Sequence, residues 1–167
     1  VIGDLITSAY MAMQWSGQRL LMAYVSLQGV HWSVQHGHTP LSVIAYALYS
    51  VMLTNRFGDP AAGAQYARLA TGLSERREND HQRAGVLLTL NALVFHLSHP
   101  VAATVEPLRQ ARRFALDSVD VRLATDCTLA YINHAHLAGA SLDAMIRDLG
   151  AMLAELEPFG DTVPLLV

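Results

Sequence analysis

The chain contains no lysine, and all eleven of its basic residues are arginine. The phosphate-binding lysine of Walker-type ATPases, the ATP-pairing lysine of kinases and a Schiff-base lysine are therefore excluded from these residues. A single cysteine, Cys127, rules out an internal disulfide and a thiolate metal cluster, and it suits a reducing compartment. We therefore expect a cytoplasmic protein.

Charge of either sign is also scarce. Charged residues make up 15% of the 167 residues, and the formal net charge is −3. A chain without a basic surplus lacks the electrostatic footprint of binding to nucleic acid or to anionic membranes. No apolar run reaches the roughly 18 residues that a membrane span requires. We expect neither a nucleic-acid partner nor a membrane partner.

Hydrophobic residues nevertheless form 52% of the sequence, enough for a sizeable core. They recur at three- and four-residue intervals, and the two-residue alternation of β-strands is missing. The clearest example consists of Leu142, Met145, Ile146, Leu149, Met152, Leu153 and Leu156. The sequence therefore predicts an all-α protein.

Capping and helix-breaking residues divide this pattern into segments. At Gly58-Asp59-Pro60, glycine ends one helix, aspartate caps the next, and proline occupies its first turn. Thr39 before Pro40 and Ser141 are further expected N-caps. We predict about eight helices, near residues 4–15, 18–36, 41–57, 60–77, 80–97, 100–116, 119–138 and 141–157.

The turns also recur at a regular interval. Those at Pro60, Pro100 and Ser141 are about 40 residues apart, which is a period typical of helical-hairpin repeats. We predict stacked antiparallel hairpins, an α-solenoid of the tetratricopeptide or HEAT kind, because one hairpin cannot bury both of its faces. A non-repetitive helical bundle with similar loop lengths is the alternative.

The expected organisation is one helical-repeat domain over residues 1–157, followed by a tail or the start of a linker at 158–167. The chain begins at Val1 without a methionine and shows no signal peptide. We interpret it as a fragment of a longer polypeptide.

Two resemblances support this interpretation. The segment 58–70 resembles the second half of a tetratricopeptide unit, although the usual tryptophan–glycine–tyrosine pattern is missing. Residues 20–157 resemble the helical region of large bacterial signalling proteins in which a STAND-like AAA ATPase precedes the repeats and kinase domains lie at either side. The residues that carry this second resemblance are 35–40, 45–49, 58–59, 66–70, 107–111 and 139–143. It implies a scaffold between ATPase and output domains and transfers no catalytic residue.

Histidine is the residue type here that could most readily bind a metal or act in catalysis, and the sequence contains eight histidines. His96 and His99 have the i, i+3 spacing that places two imidazoles on one helix face. Because Ser98 and Pro100 indicate that the helix ends there, we interpret these histidines as hydrogen-bonded or surface residues. No Gly-x-Ser-x-Gly elbow is present, and Cys127 lies within a helix. We therefore predict no metal, no cofactor and no enzymatic activity.

Arginine offers a second candidate site. Arg109, Arg112 and Arg113 form a basic group on one predicted helix, and guanidinium groups bind carboxylates and phosphates in a bidentate manner. We predict a docking patch for an acidic partner or a phosphate-bearing ligand there, with an ordinary solvated face as the alternative.

The sequence leaves two functions open. The first is a non-catalytic scaffold that binds neighbouring domains of its parent chain or a protein or peptide partner, and whose apolar ends favour self-association into a homo-oligomer. The second is a ligand-sensing domain of a regulatory ATPase or transcription activator. Its pocket would be lined by Tyr46, Tyr49, Tyr66 and Phe95, unless these rings serve only as core.

Overall fold

The computed structural model describes residues 19–76 and 79–162, and within these ranges all regular structure is helical and no β-strand occurs. The chain divides into two compact units, residues 1–78 and 79–167. The all-α prediction is therefore confirmed for the described residues. The helix predicted near 4–15 lies outside them, and the single repeat domain over 1–157 stays a prediction.

Over residues 19–76, the first unit shows three helices joined by short turns. These are α1 (Arg19–His36), α2 (Pro40–Asn55) and α3 (Pro60–Glu75). The middle helix, α2, packs against both α1 and α3, and its buried residues form the centre of this unit. Turns this short reverse the chain, so that sequential helices are antiparallel neighbours.

The predicted capping and helix-breaking residues set the ends of these helices. Gly37 and Gly58 both have positive φ angles, which glycine adopts without steric cost. The Asp59 carboxylate accepts a hydrogen bond of 2.9 Å from the Ala62 backbone N–H at the start of α3. Before α2, the backbone N–H of Thr39 donates to Ser42 Oγ at 2.9 Å. The first-unit boundaries therefore fall within two residues of the predicted ones.

Small residues let the helices of this unit approach closely. A Cβ atom at Gly63 of α3 would lie 2.1 Å from Thr54 Oγ1 and 3.2 Å from the Ser50 carbonyl oxygen of α2. A Cβ atom at Gly29 of α1 would lie 2.8 Å from the Ala45 Cβ atom. Both contacts are shorter than packed side chains tolerate, so glycine at these two positions fixes the helix separation.

Within residues 79–162, the second unit shows four helices and two short 3₁₀ turns. In chain order they are α4 (Asp80–Leu93), the turn Phe95–Leu97, α5 (Ala102–Asp117), α6 (Val121–Leu137), α7 (Leu142–Ala154) and the turn Glu157–Thr162. Helix α5 packs against α4 and α6, α4 also touches α6, and α7 packs on α6. The second 3₁₀ turn occupies part of the predicted tail.

Four predicted boundaries in this unit differ from the structure by two residues or more: two lie beside the Ser98-His99-Pro100 break, and the others are Val121 instead of 119 and Ala154 instead of 157. The helix expected over 80–97 ends at Leu93, because Val94 leaves helical geometry at φ −127° and the chain continues as a 3₁₀ turn. The next helix begins at Ala102 instead of residue 100. In both cases the Ser98-His99-Pro100 break disturbs the backbone over more residues than its sequence indicates.

The interior of the second unit is assembled from two clusters. One joins Ala84, Ala115, Ala124 and Leu156, and the other joins Leu108, Tyr131, Ala135 and Met152. Each cluster therefore collects side chains from α5, α6 and the C-terminal part of the unit, and alanines supply close helix contacts there as glycines do in the first unit.

We predict that Gly63→Ala lowers the free energy of unfolding by about 1–3 kcal/mol, because the new methyl group would collide with α2. Gly72→Ala is the matched control, since it lies in the same helix and a Cβ atom there would meet nothing within 4 Å. That control should raise stability by up to about 1 kcal/mol through helix propensity. Urea denaturation of both variants measures the difference, and equal effects would contradict the packing argument.

Candidate functional site

Arg112 of α5 lies inside the second unit, where only 3% of it is exposed. Its Nε atom donates to Thr128 Oγ1 at 3.0 Å, and its Nη2 atom donates to the Met152 carbonyl oxygen at 2.6 Å. Its Nη1 atom forms an ion pair with Glu155. Arg112 therefore does not lie on a solvated face: its buried guanidinium joins α5 to α6 and to the end of α7, and the docking role of Arg109, Arg112 and Arg113 stays a prediction.

Arg109 takes part in a second link between the same helices. Its Nη2 atom donates to Asp148 Oδ2 at 3.0 Å and to the Tyr131 hydroxyl, which in turn donates to Asp148. The guanidinium also lies over the Tyr131 ring, 4.9 Å from its centroid. Burial, and then the hydrogen bond to Asp148, raise the pKa of Tyr131 above its usual range. The phenol therefore stays a hydrogen-bond donor at neutral pH.

Arg113 is the most exposed of the three predicted docking residues, at 63% for its side chain. It lies 3.8 Å from Glu106, which is also near Arg109. A depression of about 200 Å³ is lined by Arg109, Arg112, Arg113, Asp148, Ala151, Met152 and Glu155. Because each arginine has a carboxylate partner, this surface is balanced in charge and has no surplus of free cations for an acidic partner.

The predicted aromatic pocket is divided between the two units. Tyr46, Tyr49 and Tyr66 belong to the first unit, whereas Phe95 belongs to the second and packs edge-on against His99. The Tyr66 ring lies 5.9 Å from that of Tyr46 and 4.8 Å from that of Tyr49. Tyr46 is 2% exposed, and burial raises its pKa. The tyrosines pack ring against ring, which favours the core role that the sequence also allowed.

Apolar side chains also point outward on two helices. On α7, Leu142, Ile146 and Leu153 are 69%, 60% and 51% exposed, whereas Met152, roughly 100° around the helix from this row, is buried. The apolar stripe of α7 is therefore only partly covered, and its sequence pattern could not indicate which edge of the stripe stays exposed. On α1 the exposed apolar side chains are Leu20, Leu21, Tyr24, Leu27, Trp32 and Val34.

A pair of histidines, one buried and one half-buried, lies in the second unit. His134 of α6 is 8% exposed, and its Nδ1 atom lies 2.6 Å from Thr104 Oγ1 of α5. The His96 ring, from the 3₁₀ turn after α4, lies 5.7 Å from it, centroid to centroid. Burial, and then the neighbouring His96, lower the pKa of His134. Sequence spacing missed the pair because its members are far apart in the chain and His96 had been grouped with His99.

Within the described ranges we also searched for larger metal-binding groups and for a reactive cysteine. No group of three or more His, Cys, Asp or Glu side chains there could hold a metal ion. Cys127 is buried, and burial raises the pKa of its thiol well above the usual range, so that it stays protonated. None of the helices described is both long and apolar enough to cross a bilayer.

Comparison with known proteins identifies no relative: no protein-family model, curated protein or solved structure matches this chain.

We predict that Arg112→Met lowers the free energy of unfolding by about 1–3 kcal/mol, because it leaves a buried carbonyl and a hydroxyl without their donor. The matched control Arg113→Met removes a largely exposed guanidinium from the adjacent position and should change stability by less than about 0.5 kcal/mol. Urea denaturation tests both variants. Similar losses would show that Arg112 is not the residue that joins these helices.

We also predict that the second unit loses stability in mild acid. Because the pKa of His134 is lower in the folded protein, the unfolded chain binds more protons once the pH falls below about 6.5. The free energy of unfolding should therefore decrease as the pH falls from about 6.5 to the lowered folded-state pKa, and level off below it. Denaturation at a series of pH values should show a shallower decline for His134→Asn than for the unsubstituted chain, and parallel declines would contradict the assignment.

Proposed function

We propose that this chain is a non-catalytic helical-repeat scaffold that mediates protein–protein or interdomain contacts. Its partner would be a neighbouring domain of a longer polypeptide or a separate protein or peptide. The observation that carries the proposal is the exposed edge of the apolar stripe of α7, where Leu142, Ile146 and Leu153 point outward beside the packed side of the helix. Exposed apolar stripes of this kind mark interaction surfaces.

The spacing of these residues suits a helical partner. Intervals of four and seven residues place the three side chains in one row along α7. A row of this kind is the surface that an amphipathic helix covers when it lies in an apolar groove. Asp143 and Arg147 are exposed beside the row and would lie at its polar rim.

The repeat organisation is supported by the positions of the helices. Alternate helices begin at residues 40, 80 and 121, and the helices between them begin at 60, 102 and 142, so that both series advance by about 40 residues. In the second unit α6 packs on both members of the preceding hairpin, α4 and α5, as the next repeat of a solenoid would. We therefore propose tetratricopeptide-like stacking of the hairpins α4–α5 and α6–α7.

The parent protein that we propose is a bacterial signal-transduction ATPase or kinase acting in the cytoplasm. This part of the proposal follows from the resemblance of residues 20–157 to the helical regions of such proteins. A scaffold role is compatible with an arginine-rich surface on α5 whose charges are balanced by carboxylates. These residues would hold helices together while the apolar row on α7 makes the contact.

Site-specific photo-crosslinking tests this function. A benzoylphenylalanine probe at Leu153, in cells that produce the full parent protein, should give a discrete crosslinked product between or within chains. Adding Ile146→Glu should abolish that product, because it places a charge in the centre of the apolar row. The fold should survive this substitution, since 60% of Ile146 is exposed.

A probe at Arg113 serves as the matched control, because it is exposed on the same unit but lies outside the apolar row. It should give little or none of the product. Equal crosslinking from both positions, or a product that persists with Ile146→Glu at an unchanged thermal midpoint, would reject α7 as the interaction surface.

A further inference from the structure

We propose that His96 and His134 together bind one divalent transition-metal ion, of the class that includes Zn²⁺, Cu²⁺ and Ni²⁺. Solvent would fill the remaining coordination positions. This inference is independent of the scaffold proposal, because it concerns the interior side of α6 and the 3₁₀ turn after α4. Imidazole nitrogen is a preferred ligand of all three ions.

The separation of the two rings suits a shared ion. Their centroids are 5.7 Å apart, and the ring planes make an angle of 79°. Because a metal–imidazole bond is about 2.0–2.1 Å long, two rings that share an ion have centroids within about 6.5 Å of each other.

Hydrogen bonding indicates which nitrogen His134 offers. The Thr104 hydroxyl lies 2.7 Å from the Val101 carbonyl oxygen and 2.6 Å from His134 Nδ1. We assign it as the donor to Val101 and the acceptor from Nδ1, which is the tautomer that leaves the lone pair of the neutral ring on Nε2. Metal-binding histidines are oriented in this way, by donating their second ring N–H to a neighbouring oxygen.

His96 supplies the second observation. Its Nδ1 atom is buried and has no hydrogen-bond partner. A buried polar atom without a partner is costly, and coordination of an ion by the His96 ring would compensate for that cost. The nearby His99 makes other contacts. Its Nδ1 atom lies 2.9 Å from Ser98 Oγ, and its ring packs on Phe95.

The geometry indicates a site with two protein ligands, because no larger set of ligating side chains meets within the described residues. Such a site should bind more weakly than a closed structural zinc site, which has four protein ligands. It would nevertheless connect the 3₁₀ turn to α6, and an ion that binds only the folded form raises the melting temperature.

Calorimetric titration of the full 167-residue chain with Zn²⁺ and with Cu²⁺, in a non-chelating buffer near neutral pH, tests the site. We expect one specific ion per chain and a higher melting temperature with the ion present. His96→Ala should weaken binding by at least about tenfold and remove the increase in melting temperature. This variant is the primary one, because the half-buried His96 ring makes no hydrogen bond through Nδ1.

His99→Ala and His136→Ala are the matched controls, as each lies close in sequence to one proposed ligand and is exposed. Both should bind the ion as the unsubstituted chain does. Unchanged affinity in His96→Ala would overturn the proposal, and so would an equal loss in the two controls. His134→Ala should also lose the site, and circular dichroism reports whether that variant remains folded.

Discussion

The second unit depends on one buried cation. Helix α7 has one buried residue, Met152, and its apolar stripe continues from there into the exposed side chains of Leu142, Ile146 and Leu153. Hydrophobic burial alone would therefore not determine which part of this stripe faces inward. Arg112 resolves this ambiguity, because its guanidinium bonds the Met152 carbonyl oxygen and pairs with Glu155 at the end of that helix. Directional polar contacts thus fix the orientation that hydrophobicity leaves open.

Local chemistry predicted much of the fold. The Asp59, Asn79 and Ser141 caps each accept a hydrogen bond from a backbone N–H at the start of a helix, as their residue types indicate. Glycines at Gly58 and Gly139 adopt the positive φ expected at helix ends. These features depend only on neighbours in sequence, and this is why the order of the described helices and most of their boundaries could be derived before any tertiary contact was known.

The candidate sites were less predictable, because they depend on contacts between residues far apart in sequence. Arg112 and its neighbour Arg113 are the same residue type, yet one is buried and the other exposed, because they lie on different faces of α5. The partner of His96 is His134 on another helix, which no local spacing indicates. Val119 is a further case: it ends α5 with φ +58°, where glycine is usual, because the chain must turn there to place Asp120 as the cap of α6.

The two units obtain specific packing by different physical means. In the first unit, Gly29 and Gly63 set the helix separation by steric fit, and a Cβ atom at either position would clash with the neighbouring helix. In the second, Arg109 and Arg112 set helix orientation through hydrogen bonds that persist only with the correct partners. A close-packed interface loses stability when atoms are added, whereas a polar network loses it when donors are removed. Enlarging Gly29 or Gly63 should therefore destabilise the first unit, and removing Arg109 or Arg112 should destabilise the second.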